Sequence, residues 1–316
     1  FVDRGQQEFM IQSALFIFIP KIITRRVQLC HLTKETISQG LSLLCRTGNG
    51  LEHAFVKVDL RDKRLFDIAL ISSYTHLRFV DVSSNQLIDL SPLASLTQLL
   101  WLKVDNNAVA SFKGQPFAHL TYLQWLSMAV NRLTDLDGLV GPALESLNLT
   151  GNGIQRLRGN HLDTTDGINL PNLRRLFLAQ NVIKHLEGLE RLERLTFLHL
   201  RDNQLDSLDG LSANMKCLQY LNVRGNAISE ENALQSLALV SKTLKALVLS
   251  HNPLMETTDY RLSVLILLPQ LGRLDKDLVS PEELSEAQEK IKVKLRNMLF
   301  LYVVWSDINC SSASFS

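Results

Sequence analysis

The chain has 316 residues, long enough for two domains, and its 33 basic and 32 acidic residues give a formal net charge of +1 at pH 7. This balance supplies no bulk attraction to nucleic acid or to an anionic membrane. The cysteines have neither C-x-x-C nor zinc-ligand spacing, so we predict no metal site and a reduced, cytosolic protein. They are Cys30, Cys45, Cys217 and Cys310.

The segment 1–31 does not share the regular pattern of the rest of the chain. Its apolar run from Phe9 to Ile19 is too short to span a bilayer. The residues that follow are Pro20-Lys21 instead of the small residues of a signal-peptide cleavage site. We therefore expect neither a membrane anchor nor a signal peptide in this segment.

Residues 32–50 carry a helical pattern. Thr33 is a candidate N-cap and Gly48 a candidate C-terminal stop. The apolar face of this helix consists of Ile37, Leu41 and Leu44. We predict a capping helix that covers the open edge of the first strand, because an uncovered edge invites pairing with another chain.

An eleven-residue pattern, L-x-x-L-x-L-x-x-N-x-L, then occurs eight times. The copies occupy residues 77–87, 99–109, 123–133, 144–154, 173–183, 195–205, 218–228 and 244–254. This is the leucine-rich repeat signature, and a degenerate copy with Lys63 in place of Asn precedes the first. It predicts an α/β solenoid over residues 51–276, with a curved parallel sheet on its concave face, a helical N-terminal cap and a leucine-rich repeat C-terminal cap.

The ninth position of every copy is asparagine. These residues are Asn85, Asn107, Asn131, Asn152, Asn181, Asn203, Asn226 and Asn252. They are candidates either for a row of ligand amides or for a ladder of hydrogen bonds that holds each turn. We favour the ladder, because a buried turn leaves backbone groups to satisfy and an amide offers both donors and an acceptor.

Aromatic residues recur at outward-facing strand positions, where a soluble protein usually has polar side chains. They are Phe79, Trp101, Trp125, Phe197 and Tyr220 at the third position, and Phe177 at the fifth. The first three are expected to form a contiguous apolar strip, since they belong to neighbouring strands. Aromatic rows also stabilise strands by themselves. We favour a protein interface, because aromatic residues are enriched at interface hot spots.

Charge varies along the same face. Asp59, Asp81 and Asp105 lie toward its start, whereas arginines lie toward its end. The arginines are Arg175, Arg201 and Arg224. We assign them to the protein-binding surface, and we expect no nucleic acid partner because a denser basic stripe would be needed.

The repeats end in Tyr260-Arg261 and Leu274-Asp275, which resemble the C-terminal cap of intracellular leucine-rich repeat proteins. Ser280 and Glu283 then form a candidate capping box. We predict an amphipathic helix over residues 277–299, which either binds a partner or folds back on the cap, and an apolar, then serine-rich tail at 300–316.

No pattern in the chain indicates an active site. There is no phosphate-binding G-x-x-x-x-G-K-[ST] loop, no H-E-x-x-H and no G-x-S-x-G. His199 and His251 face the strand-side surface two repeats apart, without a matched carboxylate, and are interpreted as ordinary exposed residues. We predict a protein that is not an enzyme and that uses no cofactor and no small-molecule substrate.

Several segments outside the repeat consensus resemble a family of axonemal leucine-rich repeat proteins of the radial spokes in motile cilia and sperm flagella. They are residues 40–50, 99–103, 167–171, 198–203, 218–222, 260–261 and 274–276. The resemblance implies a non-enzymatic scaffold that binds radial-spoke stalk or head proteins and supports flagellar motility. It also implies a location in the cytoskeleton of the cilium or flagellum.

The two ends depart from that family, whose members are acidic and disordered before the first helix and continue as a charged helix at the end. Residues 1–31 are apolar and basic, so we expect them to be disordered or to come from a mis-joined or alternative exon. We expect a mis-joined or alternative exon also for residues 300–316. The alternative function is a regulatory subunit that binds a protein phosphatase or another cytosolic enzyme through the concave face.

Overall fold

A computed structural model describes residues 29–48, 50–157, 168–256 and 259–312, with side chains up to residue 297. The predicted N-terminal segment 1–31 therefore lies almost entirely outside the described residues. The turn sequences at 159–167, between the fourth and fifth repeats, also lie outside them.

In the part of the chain that the structure describes, there are fourteen strands and three α-helices. In chain order the elements are β1 (Cys30–His31), α1 (Lys34–Gly40), β2 (Leu41–Arg46), β3 (His53–Asp59), β4 (Leu65–Asp67), β5 (Phe79–Asp81), β6 (Trp101–Lys103), β7 (Trp125–Ser127), β8 (Ser146–Asn148), β9 (Arg175–Phe177), β10 (Phe197–His199), β11 (Tyr220–Asn222), β12 (Ala246–Val248), α2 (Tyr260–Leu267), β13 (Arg273–Leu274), β14 (Asp277–Leu278) and α3 (Pro281–Ser312).

The predicted leucine-rich repeat solenoid is confirmed. One sheet of 12 strands contains β3 and β5 to β13 in parallel order, with β2 and β14 added antiparallel at its two ends. The short strands β1 and β4 form a separate pair. Return segments include short 3-10 helices at Ala69–Ser73, Ser91–Ser95, Pro116–Ala118, Glu231–Val240 and Pro253–Glu256.

The core lies between the sheet and the return segments and runs through all the repeats. In β10 and the residue after it, Leu198 and Leu200 are fully buried. Phe197 and His199 alternate with them and lie on the other face of the sheet, half-exposed. Each buried leucine contributes about 1.5–3 kcal/mol relative to an exposed one, so stacking supplies the stability that a single repeat lacks.

The predicted asparagine ladder is also confirmed. Oδ1 of Asn131 accepts the backbone N–H of Val109 at 3.1 Å, and its Nδ2 donates to the carbonyl oxygens of Val104 at 2.9 Å and Met128 at 3.1 Å. Val104 and Val109 belong to the preceding repeat, so one amide joins two repeats. The same bonds are made by Asn85, Asn107, Asn152, Asn181, Asn203, Asn226 and Asn252.

The residue before each ladder asparagine adopts a left-handed backbone conformation. These residues are Ser84, Asn106, Val130, Gly151, Gln180, Asp202, Gly225 and His251, with φ between +53° and +70°. Glycine and asparagine reach this region at little cost. Val130, at φ +54°, is β-branched, so its backbone is strained there.

The capping helix is shorter than predicted. Thr33 caps it as expected, since its Oγ1 accepts the Thr36 N–H at 3.1 Å. The helix ends at Gly40, however, and not at Gly48. Gly40 lies directly against the backbone of Asp59, where a side chain has no room.

The rest of the predicted helix is the strand β2. It pairs antiparallel with β3, from Leu41 opposite Val58 to Arg46 opposite His53. The open edge of β3 carries unpaired backbone groups, and a strand satisfies them where a helix does not. As a result Leu44, expected on the buried face, is exposed.

At the C-terminal cap a carboxylate accepts backbone N–H groups of the last repeat, of the kind that other repeats pair with carbonyl oxygens of the next strand. Asp275 Oδ1 accepts the backbone N–H groups of Leu249 at 2.8 Å and Ser250 at 2.7 Å. Its Oδ2 accepts the Tyr260 hydroxyl at 3.1 Å. The cap residues singled out in the sequence thus satisfy the backbone at the end of the last repeat.

Helix α3 begins with the predicted capping box. The Ser280 N–H donates to Glu283 Oε2 at 2.8 Å, and the Glu283 N–H donates to Ser280 Oγ at 3.2 Å. The helix packs on the cap through Leu284 and Ala287, so its first turns fold back on the solenoid. It continues through the predicted tail to Ser312, beyond the predicted end at 299.

All side chains at 292–297 of α3 are exposed, including the apolar Val293 and Leu295. The apolar stripe of α3 therefore continues beyond the part of the helix that packs on the cap. Among the described residues, no helix is long and apolar enough to cross a membrane.

Candidate protein-binding face

Three positions of each repeat face the concave side, namely the third, the fifth and the seventh. The parallel register aligns equivalent residues, so that Trp101 lies beside Trp125 and Phe197 beside Tyr220. Since neighbouring strands are about 4.8 Å apart, each position forms a continuous column of side chains across the sheet.

The N-terminal half of the third-position column forms the tryptophan group, which consists of Phe79, Trp101 and Trp125. The register places the three residues next to one another, as predicted. The rings of Trp101 and Trp125 are stacked, with centroids 4.6 Å apart and planes 7° apart. Each of the three side chains is half-buried, so part of its apolar surface stays open to a partner.

The aromatic column is interrupted and not continuous. Ser146, which is buried, and Arg175, which is exposed, follow Trp125 in the third-position column. The remaining aromatic residues lie beyond this break and form a second cluster. The face therefore carries two separate aromatic surfaces.

The second cluster, the phenylalanine group, consists of Phe177, Phe197, His199 and Tyr220. Phe197 and Tyr220 are stacked with centroids 4.1 Å apart and planes 3° apart. Phe177 lies 5.3 Å from Phe197, and His199 meets the edges of both phenylalanines at 6.2 and 6.3 Å. Such pairs contribute about 0.5–1.5 kcal/mol beyond the area that they bury.

His199 belongs to this cluster, although the sequence pattern alone led to its interpretation as an ordinary exposed residue. Burial among the phenylalanines lowers its pKa below 6.5, and the positive charge of Arg201 lowers it further. Its Nε2 lies 3.2 Å from Asn222 Nδ2, which donates to the ring nitrogen when the imidazole is neutral. The fifth-position register with Phe177 is the sequence signal that identifies it.

Charges on the N-terminal half of the face compensate one another. Arg61 binds Asp59 through Nη2–Oδ2 at 2.6 Å and approaches Asp81 at 3.6 Å. The hydrogen bond from Arg61 lowers the pKa of Asp59 below 3.8. Lys103 lies 3.5 Å from Asp105. The three predicted acidic positions are therefore paired with cations and do not form an acidic surface.

The three predicted arginines lie on the C-terminal half, around the phenylalanine group. Arg175 and Arg201 are exposed and Arg224 is half-buried. Arg201 bonds Asp202 at 3.0 Å, and Arg224 Nη2 lies 2.8 Å from His251 Nε2. Sequence reasoning missed Arg273, which extends the third-position column into the cap.

Nothing in the geometry of this face resembles a reaction centre. The described part of the chain contains no group of three or more His, Cys, Asp or Glu residues able to hold a metal ion. A groove of about 510 Å³ lies along the turns that follow the ladder asparagines, away from the aromatic columns. Its lining is Gln155, Arg156, Val182, Lys184, His185 and Gln204, without a carboxylate or a thiol.

Comparison with known proteins supports both the fold and the family. The leucine-rich repeat family matches residues 159–301. An internalin of Listeria monocytogenes has a similar structure, with a TM-score of 0.57 at 25% identity over 71% of this chain and 62% of the internalin.

Two curated relatives are much more similar to this chain than the internalin is. Leucine-rich repeat-containing protein 23 of Bos taurus is 49% identical over 276 residues, which cover 82% of this chain and 79% of the relative. The protein of the same name from Homo sapiens is 50% identical over 272 residues, covering 81% and 78%. The fold and the family support a protein-interaction scaffold. The chain belongs to the family of leucine-rich repeat-containing protein 23.

Proposed function

We propose that this protein is a non-enzymatic scaffold of the ciliary and flagellar axoneme, where it assembles or stabilises a radial spoke and its head for motility. Its concave face binds another protein of the spoke. Family membership supports the axonemal location, because the resemblance in the sequence implies that setting.

The observation that carries the binding function is the tryptophan group. Two stacked indoles remain half-exposed on interior strands of the sheet, on a face whose nearby charges compensate one another. Tryptophan is enriched among the residues that contribute most to protein interfaces. An apolar centre with paired polar groups around it matches the composition of such interfaces.

Affinity purification from ciliated tissue tests this function, with the wild-type chain compared with the Trp101→Ala/Trp125→Ala variant. We expect mass spectrometry to show radial-spoke proteins with the wild type and their loss with the variant. Tyr122→Ala is the matched control, since Tyr122 is an exposed aromatic residue outside the strands.

Two results contradict the proposal. The first is equal capture of spoke proteins by the wild type and the double variant, which removes the tryptophan group from the binding site. The second is a phosphatase catalytic subunit captured in stoichiometric amount in place of spoke proteins, which favours the regulatory-subunit alternative.

A further inference from the structure

The C-terminal half of the concave face combines an aromatic floor with a frame of cations. The third-position column runs from Arg175 through Phe197, Tyr220 and Ala246 to Arg273, each paired with the next in the parallel register. The stacked pair of rings is therefore flanked by an exposed arginine at each end of the column.

Two further arginines lie along one side of this floor. Arg201 and Arg224 occupy the seventh position of adjacent repeats. Their backbones are neighbours, because the Asp202 N–H donates to the Arg224 carbonyl at 2.8 Å. Four arginines thus border one aromatic surface, at both ends of its column and along one side.

Most of this positive charge is not neutralised within the described residues. Arg175 and Arg273 make no ion pair there, and the partner of Arg224 is the ring nitrogen of His251, which accepts without carrying negative charge. Among the carboxylates of the described residues, Asp202 alone pairs with one of the four arginines. Asp275, two residues after Arg273, already accepts two backbone N–H groups and the Tyr260 hydroxyl.

We propose that the arginine frame and the phenylalanine group bind an acidic, extended segment of a partner protein. The inference rests on the proposed function and names the chemistry of its partner at one half of the face. Carboxylates of the segment pair with the guanidinium groups, whose fork matches them in two parallel hydrogen bonds. An apolar side chain between the carboxylates packs on Phe197 and Tyr220.

The stacking geometry favours a peptide over a nucleic acid. Phe197 and Tyr220 cover one face of each other's ring at 4.1 Å, so each ring has at most one face left for stacking with a base. A base binds by stacking on an open ring face, whereas apolar and aromatic side chains pack well against ring edges. Peptide side chains therefore fit this aromatic surface better than stacked bases do.

Synthetic peptides test the inference on the full chain. The probe is a short fluorescent peptide that alternates Glu and Tyr, and its matched peptides replace Glu by Gln or by Lys. By fluorescence anisotropy we expect the Glu peptide to bind at least about tenfold more tightly than the Gln peptide, and its affinity to fall as salt is raised.

A charge-reversal pair locates the site. Arg201→Glu/Arg224→Glu is expected to weaken binding of the Glu peptide more than about tenfold, because it replaces attraction by repulsion. Arg156→Glu/Lys184→Glu carries the same change in net charge on the groove outside the face and should leave the affinity unchanged. An unchanged melting temperature of Arg201→Glu/Arg224→Glu excludes simple misfolding. Arg201→Lys/Arg224→Lys keeps the charge but loses the fork, so it should bind the Glu peptide more weakly than the wild type and more tightly than the Glu variant.

Three results overturn the inference. They are equal binding of the Glu and Gln peptides, equal weakening by the two charge-reversal pairs, and tighter binding of a single-stranded oligonucleotide than of the Glu peptide. Trp101→Ala/Trp125→Ala should keep peptide binding, since its indoles lie on the other half. A failure of that variant to lose spoke proteins therefore counts against the proposed function and leaves this inference intact.

Discussion

The two halves of the concave face share one backbone but differ in how they use charge. In the N-terminal half, Arg61 and Lys103 neutralise the acidic residues, and the stacked tryptophans dominate the surface. In the C-terminal half, four arginines border stacked rings with a single paired carboxylate. The repeat thus fixes where a side chain lies, whereas the chemistry of each half depends on the residues between its leucines.

The largest expected effect is one that the two halves share. Asn131→Ala and Asn203→Ala should each lower the free energy of unfolding by about 3 kcal/mol, because each leaves several buried backbone groups without a partner. Urea unfolding measures this loss. Gln204→Ala, an exposed neighbour, is the control, and losses no larger than its own would contradict the structural role of the ladder.

Binding is expected to separate the halves. Trp125→Ala should weaken capture of a protein partner by about 2 kcal/mol, as truncation of an interface anchor does, with little change in melting temperature. The contribution of Trp125 should be insensitive to salt, since its surroundings are apolar and charge-compensated. Titration of the wild type and the variant with the captured partner, at low and at high salt, measures this contribution. A strong salt dependence of the loss caused by Trp125→Ala would contradict the difference between the two halves.

A smaller effect distinguishes the backbones of the two halves. Val130→Asn should stabilise the chain by about 1 kcal/mol, because asparagine tolerates the left-handed conformation that strains valine. Gln180→Asn is the matched change in the other half, at φ +55°, and should gain less, since glutamine is not β-branched. Thermal unfolding of the two variants measures the stability that each substitution adds. An equal increase at both sites would argue against strain at Val130.

The smallest predicted difference concerns pH. The lowered pKa of His199 means that the unfolded chain binds more protons than the folded one once pH falls toward and below 6.5, so stability decreases there. The lowered pKa of Asp59 contributes stability that is present above 3.8 and is lost as pH falls through the folded-state pKa. The C-terminal half should therefore weaken first.

Unfolding at a series of pH values, with His199→Gln and Asp59→Asn as the two variants, measures this order. His199→Gln should remove the decrease at mildly acidic pH, and Asp59→Asn only the one in strong acid. An NMR titration in which His199 protonates above 6.5 would refute the prediction.

The features that the sequence predicted correctly depend on spacing within one repeat. Leucines at fixed positions set the strand register, and the asparagine after them reaches the backbone of the preceding turn, so both followed from the pattern. The stop at Gly40 did not, because it depends on Asp59, which a separate strand brings against it. Leu41 likewise exchanges a helical position for pairing with Val58, a contact that no local pattern encodes.

The candidate site was predicted in position but not in organisation. The aromatic residues and arginines lie on the concave face, as their strand positions indicated. The approach of Arg61 to Asp81 and the contact of His199 with Phe177 depend on side chains from different repeats. Their assignment as a binding surface stays a prediction that the variants above test.

The ladder has a mechanical consequence. Every ladder amide is hydrogen-bonded to the preceding repeat, and each repeat contacts only its neighbours. A force along the solenoid axis therefore acts on the interfaces between repeats one after another. A chain built this way lengthens by releasing one repeat at a time and recovers by docking it again. Under an oscillating load, such a molecule behaves as a stepwise spring.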